Sequence, residues 1–216
     1  MKLIEQNITV QGESLRLTNQ AALFRERHQA LILSDLHLGK AAHFRKHGIA
    51  LPVQLALQDL ERLDTLIHHY AAEQVIIVGD LIHAGANKEV PLFSALTHRH
   101  HQVRFTLVRG NHDRISHDQL EAIGIQEIYD ELTLDGITFS HDPVQDHPAP
   151  FVISGHMHPG VDIQFHTKQR KRFPCYVVTP EQLILPAFSR FTGLDTGRIP
   201  KGATCYAFHA EGIFHC

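Results

Sequence analysis

The sequence predicts an α/β protein in which two sheets pack face to face with helices outside. Two observations carry this. Strand-length apolar runs alternate with helical patterns over the first half of the 216 residues, whereas short strand-like segments fill the second half. Alternating units followed by runs of strands suit layered sheets, and the crossover helices favour parallel pairing in the first half.

In order, residues 15–24 (LRLTNQAALF) and 30–34 (ALILS) read as a short strand pair leading into a buried strand. Over 53–70, Val53, Leu57, Leu60, Leu63, Ile67 and Tyr70 recur at helical spacing behind Pro52, a start signal. QVIIVGD (74–80) reads as a buried strand ending in a Gly-Asp turn. Residues 89–99 read as a helix with Pro91 near its front, and 103–113 (VRFTLVRGNHD) as a strand running into a polar loop. Beyond residue 125, segments 126–134, 137–141, 151–154, 161–166, 175–179, 182–185 and 203–208 read as short strands, separated by turn signals such as DG, HPG, TP and EG. No linker, repeat or low-complexity stretch interrupts this, so residues 1–216 are expected to form one domain.

Composition narrows the function classes. An apolar fraction of 43% with 20% charged residues is globular. A formal charge of −3 excludes a generally basic nucleic-acid coat but leaves room for a local basic groove. Cys175, Cys205 and Cys216 form no CxxC pair, so a disulfide scaffold or a Cys-type zinc finger is not expected, and they read as buried or free thiols. The start lacks an apolar signal stretch, and the longest apolar runs are strand-sized; the expectation is a cytoplasmic, soluble protein without a membrane partner. Histidine is the abnormal residue, with 19 copies, none in a tag-like run.

Metal-ligand residue types gather where the apolar runs end: Asp35 and His37 after 30–34, Asp80 after 75–78, Asn111 with His112 and Asp113 after 103–108, His141 after 137–139, His156 and His158 after 151–153. Open sheets place their sites beyond the carboxyl ends of strands. The seven candidates Asp35, His37, Asp80, Asn111, His141, His156 and His158 offer only oxygen or imidazole nitrogen. One divalent ion takes four to six donors, so seven suit two ions with a bridging carboxylate. In D-x-H and H-x-H, an extended chain would point both ligands to one side and turn Leu36 and Met157 into the core. Two divalent ions against two carboxylates and a hydroxide leave a net charge matched to a phosphodiester.

These blocks, D-x-H, GD, GNHD, a lone His and GHxH in this order, resemble the calcineurin-like metallophosphoesterases. SDLHLGKAAHFRKHGIALP (34–52), GDLIHA (79–84), SHDP (140–143), GHMHP (155–159) and PCYVVTPEQLILPAFSRFTG (174–193) resemble more closely the bacterial ligase-associated DNA damage response metallophosphoesterases. The resemblance implies a four-layer α/β/β/α sandwich of two mixed sheets and a manganese-dependent phosphodiesterase or nuclease acting on DNA in repair. It also implies association with an ATP-dependent DNA ligase, a helicase and an exonuclease. Asp35, His37 and His158 would hold one metal; Asn111, His141 and His156 the second; Asp80 would bridge. A bridging hydroxide would attack phosphorus, with His112 assisting the leaving oxygen and Asp113 orienting His112. In purple acid phosphatases the third residue after the bridging Asp is a ferric-binding tyrosine. Here it is His83, which favours Mn²⁺, with Fe²⁺ or Zn²⁺ as alternatives.

Bland readings compete at several positions. Asp113 could equally stabilise its turn. Lys40, His43, Arg45, Lys46 and His47 could contact substrate phosphate or form a solvated basic face; Lys40, Arg45 and His83 are the candidate substrate contacts. KQRKR (168–172) could line a DNA-backbone groove or tip a hairpin, and residues 151–216 carry a net +3 against −6 before them. His68, His69 and the histidines of 98–101 sit at predicted helix ends, as surface residues. A small-molecule phosphodiesterase or pyrophosphatase is the alternative function, and a non-catalytic protein-binding scaffold an outside one.

Overall fold

The computed structural model describes residues 2–40, 44, 55–83, 87–143, 149–165 and 169–216. Its first sheet has seven strands in sequence order: β1 (Glu5–Val10), β2 (Glu13–Thr18), β3 (Leu23–Arg25), β4 (Ala30–Leu33), β5 (Gln74–Val78), β6 (Arg104–Val108) and β7 (Glu127–Tyr129). The first four pair antiparallel; β4 to β7 pair parallel. The crossovers contain α1 (Leu55–Tyr70), α2 (Val90–Arg99) and α3 (His117–Ala122), as the alternating pattern requires. β4 and β6 carry apolar residues on both faces because the sheet is covered on both sides.

The second sheet runs β15-β14-β12-β13-β10-β9-β8, built from β8 (Glu131–Leu134), β9 (Ile137–Ser140), β10 (Phe151–Ser154), β12 (Arg170–Val178), β13 (Gln182–Ile184), β14 (Thr204–His209) and β15 (Gly212–His215). β11 (Gly160–Gln164) pairs with β12 alone. At its centre β9, β10 and β13 are parallel. One core joins both sheets and the helices, from Leu31, Ile76 and Leu107 to Leu63 and Phe93 on one side and to Phe139, Ile153 and Tyr176 on the other. A second, smaller core on the far face of the second sheet (Phe173, Cys175, Val177, Cys205) is covered by Met157, Val161, Ile163 and Ile199.

Several sequence expectations need correction. Segment 126–134 is not one strand: it breaks at Asp130, and β7 and β8 belong to different sheets. The strands β1 and β15 and helix α3 lacked a strong apolar pattern and were not expected. α3 is short and is fixed by a capping box between Ser116 and Gln119. On α1, Leu57 is 42% exposed, and the buried face instead holds Asp59, Leu60, Arg62, Leu63, Leu66, Ile67 and Tyr70. His100 is buried, its Nε2 2.6 Å from Asp64 Oδ1, because the C-terminus of α2 docks on α1. Pro52 and Val53 lie outside the described residues. No described helix is long and apolar enough to cross a membrane.

Candidate metal centre

The site is assembled by the register of the parallel strands. In the first sheet Leu33 pairs with Ile77 and Val78 with Val108, so β4, β5 and β6 end level with one another. In the second sheet Ser154 pairs with both Ser140 and Ile184, so β9, β10 and β13 also end together. A bridge between Ser34 and Ala187 sets the two rims edge to edge. The segments leaving these ends carry Asp35 and His37, Asp80, Asn111 and His112, His141, and His156 and His158.

Two clusters result. In the first, His158 Nε2 lies 3.3 Å from Asp35 Oδ1 and 3.1 Å from His37 Nε2. In the second, His141 Nε2 lies 3.4 Å from Asp80 Oδ1, 3.1 Å from Asn111 Oδ1 and 3.1 Å from His156 Nδ1. Asp80 reaches both, since its Oδ2 is 3.9 Å from His37 Nδ1. All seven candidate ligands therefore meet, as two groups with one carboxylate between them.

The dyads do not converge by extended-chain alternation. Asp35, His37, Asp80, His156 and His158 all have positive φ, between 48° and 66°. This left-handed conformation is costly for L residues other than glycine. Backbone bonds hold it: Asp35 N donates to Gly79 O at 3.1 Å and His37 N to Asp80 O at 2.9 Å. Leu36 is buried as expected, while Met157 packs against the smaller core. Gly79 permits the close approach, because a Cβ there would sit 1.8 Å from His141 Nδ1.

The donor set fits divalent ions. Asp35 Oδ1 and His37 Nδ1 are buried without a hydrogen-bond partner, a costly condition unless something else satisfies them. All the donors are oxygen or imidazole nitrogen, which suits Mn²⁺, Fe²⁺ or Zn²⁺. Burial, aided by the Lys40 charge, lowers the His37 pKa to about 2, so the ring stays neutral and can offer a lone pair. Burial alone would raise Asp35, but the His158 ring beside it, 3.3 Å away, outweighs it, and its carboxyl lies below the usual range. His141 Nδ1 lies 3.4 Å from Val78 O, a contact that leaves Nε2 facing the cluster.

Around the clusters, His112 is half-exposed; its backbone N donates to Asp80 Oδ1 at 3.0 Å and its ring lies 6.0 Å from that of His37. The His83 ring is 4.6 Å from that of His112. Lys40 is held by its backbone bond to His37 O, and burial lowers its pKa. Arg45 lies outside the described residues, as do His43, Lys46 and His47. Asp113 takes the turn-stabilising role: its carboxylate accepts from Ile82 N and Gly110 N, both at 2.9 Å, and among the described residues it does not bond the His112 ring. Its burial raises its pKa.

Sequence reasoning missed the supports. Glu89 is buried and accepts a hydrogen bond from Gly39 N, bracing the loop after His37. The segment after β13 packs on Asp35, with Phe188 N donating to Ser34 O at 2.8 Å and Ser189 N to Asp35 O at 3.1 Å. It is anchored by the buried Asp59–Arg62 pair of α1 at 3.0 Å: Arg62 donates to Phe188 O, and Asp59 accepts from Arg190 N at 3.2 Å. The signal was present, since Asp59 and Arg62 interleave with Leu60, Leu63 and Leu66 on one helical face.

A family model described as calcineurin-like phosphoesterase matches residues 28–148. The chain is similar to the crystal structure of Pseudomonas putida nuclease MPE, at 30% identity and a TM-score of 0.81 over 94% of this chain and 96% of that one. It is more distantly similar to Yfce, a phosphoesterase from E. coli, at 17% identity and a TM-score of 0.42 over 82% of this chain and 87% of that one. No curated protein matches the sequence.

Proposed function

This chain belongs to the calcineurin-like phosphoesterases, metal-dependent phosphoester hydrolases, and from that premise we propose that it is a dinuclear phosphodiesterase that cleaves DNA. One observation carries the dinuclear part: two ligand clusters share Asp80, with an unsatisfied buried carboxylate oxygen on Asp35 beside them. In this reading Asp35, His37 and His158 hold one divalent ion, Asn111, His141 and His156 the other, and Asp80 bridges. Mn²⁺ is the metal we expect, with Fe²⁺ or Zn²⁺ as alternatives. Bound there, such ions neutralise phosphoryl oxygens and activate a water for in-line displacement.

The chain's own residues do the rest. His112, fixed through its backbone N to Asp80 and half-exposed at the mouth, gives its proton to the leaving oxygen. His83 packs beside it and limits where that ring can turn. Lys40, close enough to Asp35 and Asp80 to feel both charges, orients a phosphate oxygen. Asp113 acts only through the loop that carries His112.

Similarity to a nuclease over 94% of the chain supports nucleic acid as substrate. A role in DNA repair, and association with an ATP-dependent DNA ligase, a helicase and an exonuclease, rest on the sequence resemblance. One core spanning both sheets supports a single domain over residues 1–216. The test is hydrolysis of bis-p-nitrophenyl phosphate and a DNA oligonucleotide with Mn²⁺ and with chelator. We expect both to be cleaved, in a metal-dependent way. Diester cleavage without DNA cleavage would favour a small-molecule phosphodiesterase; turnover of neither would leave the scaffold reading.

A further inference from the structure

The segment after β13 has two sides. On one, its backbone bonds Ser34, Asp35 and, through Asp195 N at 3.0 Å, the His158 carbonyl. On the other it walls a cleft of about 440 Å³ that none of the metal-ligand candidates lines. That volume lies in the range of ligand-binding pockets. Its other walls are the β2–β3 turn, which pairs level with the end of β4, Arg62 of α1, the stretch of β12 around Phe173, and the end of β14 with the turn that follows; the segment after β13 is the wall it shares with the metal centre.

Its chemistry is one-sided. Phe173, Phe188 and Phe208 back its walls as buried rings, while Arg62, Lys171 and Arg190 line it and, among the described residues, no carboxylate does. Arg62 is buried, stacked 4.1 Å from the Phe188 ring and paired with Asp59, so its charge is compensated. Lys171 and Arg190 are exposed and make no ion pair among the described residues. The Lys171 ammonium lies over the Phe173 ring at 5.3 Å. Exposed cations in a cleft of this size match a chain of phosphates, whose counterions they release on binding.

We propose that this cleft holds the stretch of nucleic acid adjoining the scissile phosphodiester, with Lys171 and Arg190 on backbone phosphates. The proposal rests on the nucleic-acid reading above and adds where the polymer runs. A small diester is too short to fill the metal centre and the cleft together, so the cleft should matter to polymer alone.

The double variant Lys171→Glu, Arg190→Glu tests this, in the Mn²⁺-loaded protein, against bis-p-nitrophenyl phosphate and a labelled DNA oligonucleotide at several salt concentrations. Both side chains are on the surface, and neither belongs to the catalytic machinery. The expected result is diester kcat/KM within about twofold of wild type, oligonucleotide KM raised about tenfold, and a salt slope shallower by about 1.5, for two lost phosphate contacts. Unchanged oligonucleotide KM and slope with intact diester hydrolysis would overturn the cleft and leave the function standing. Equal losses on both substrates would also overturn it, since the effect would then lie at the metal centre. If the wild-type protein cleaves the diester but never the oligonucleotide, the nucleic-acid reading falls and takes the cleft with it.

Discussion

At the scale of single residues, the site is built on backbone that most sequences avoid. Five candidate ligands sit at positive φ, at a cost of roughly 1–2 kcal/mol each. The turn brings Asp35 and His37 into one cluster and sends His156 and His158 to different ones, and strain of this kind gathers at functional sites. His112 is different: it belongs to neither ligand cluster, its backbone N bonds Asp80 Oδ1, and its ring Nε2 stands 4.0 Å from Asp80 Oδ2. His112→Ala should therefore lower kcat about 10²–10⁴-fold while the protein keeps its two metal equivalents. Parallel turnover and elemental analysis check this; a loss of metal would mean that the histidine binds the ion instead.

At the scale of elements, buried charges do the tying. Asp59 and Arg62 on α1 secure the segment after β13, and burial raises the Asp59 pKa despite its partner. At the far side Arg25 of β3, 1% exposed, is held by Glu13 of β2 at 2.6 and 2.7 Å and donates to Leu134 O of β8 at 3.3 Å, clasping one sheet to the other. The hydrogen bond from Arg25 lowers the Glu13 pKa. A carboxyl depressed on folding stabilises the fold above its unfolded pKa, about 4.3, and that contribution is lost as pH falls through the folded value. Glu13→Gln should cost about 1.5–3 kcal/mol at neutral pH, the range for a hydrogen bond to a charged group. The gap to wild type should close in acid. Denaturant melts across that range provide the measurement, and a pH-independent gap would contradict the linkage.

At the scale of the whole molecule, the metal centre is a seam. Asp35, His37, Asp80 and Asn111 follow strands of the first sheet, and His141, His156 and His158 follow strands of the second. Ions held at this candidate centre would cross-link the two sheets, so their binding would be part of the folding free energy. At one hundred times its dissociation constant each ion adds about 2.7 kcal/mol. For two ions, chelation should then lower Tm by roughly 10–20 °C for a chain of this size, and Mn²⁺ should restore it. Calorimetry with and without chelator decides; an unchanged Tm would mean that the folded centre does not bind the ions.

The sequence by itself determined the alternating β4-α1-β5-α2-β6 core of the first half and every candidate ligand of the two clusters. Strand period, helix period and residue chemistry are local, and ligand types placed after apolar runs must emerge at a sheet rim once the strands are parallel. It also left visible the charged pair within the apolar face of α1. What only the tertiary structure decided were relations between distant segments. These include the division of 126–134 between two sheets, the turn-stabilising role of Asp113, the bracing by Glu89, and the cleft that joins the β12 cations to the segment after β13. None has a periodic signature, because each depends on which backbone N–H or empty space the folded chain brings opposite a side chain. The ligands' left-handed backbone belongs with them: nothing in D-x-H or H-x-H announces it, and it persists only because hydrogen bonds from neighbouring strand ends offset its cost.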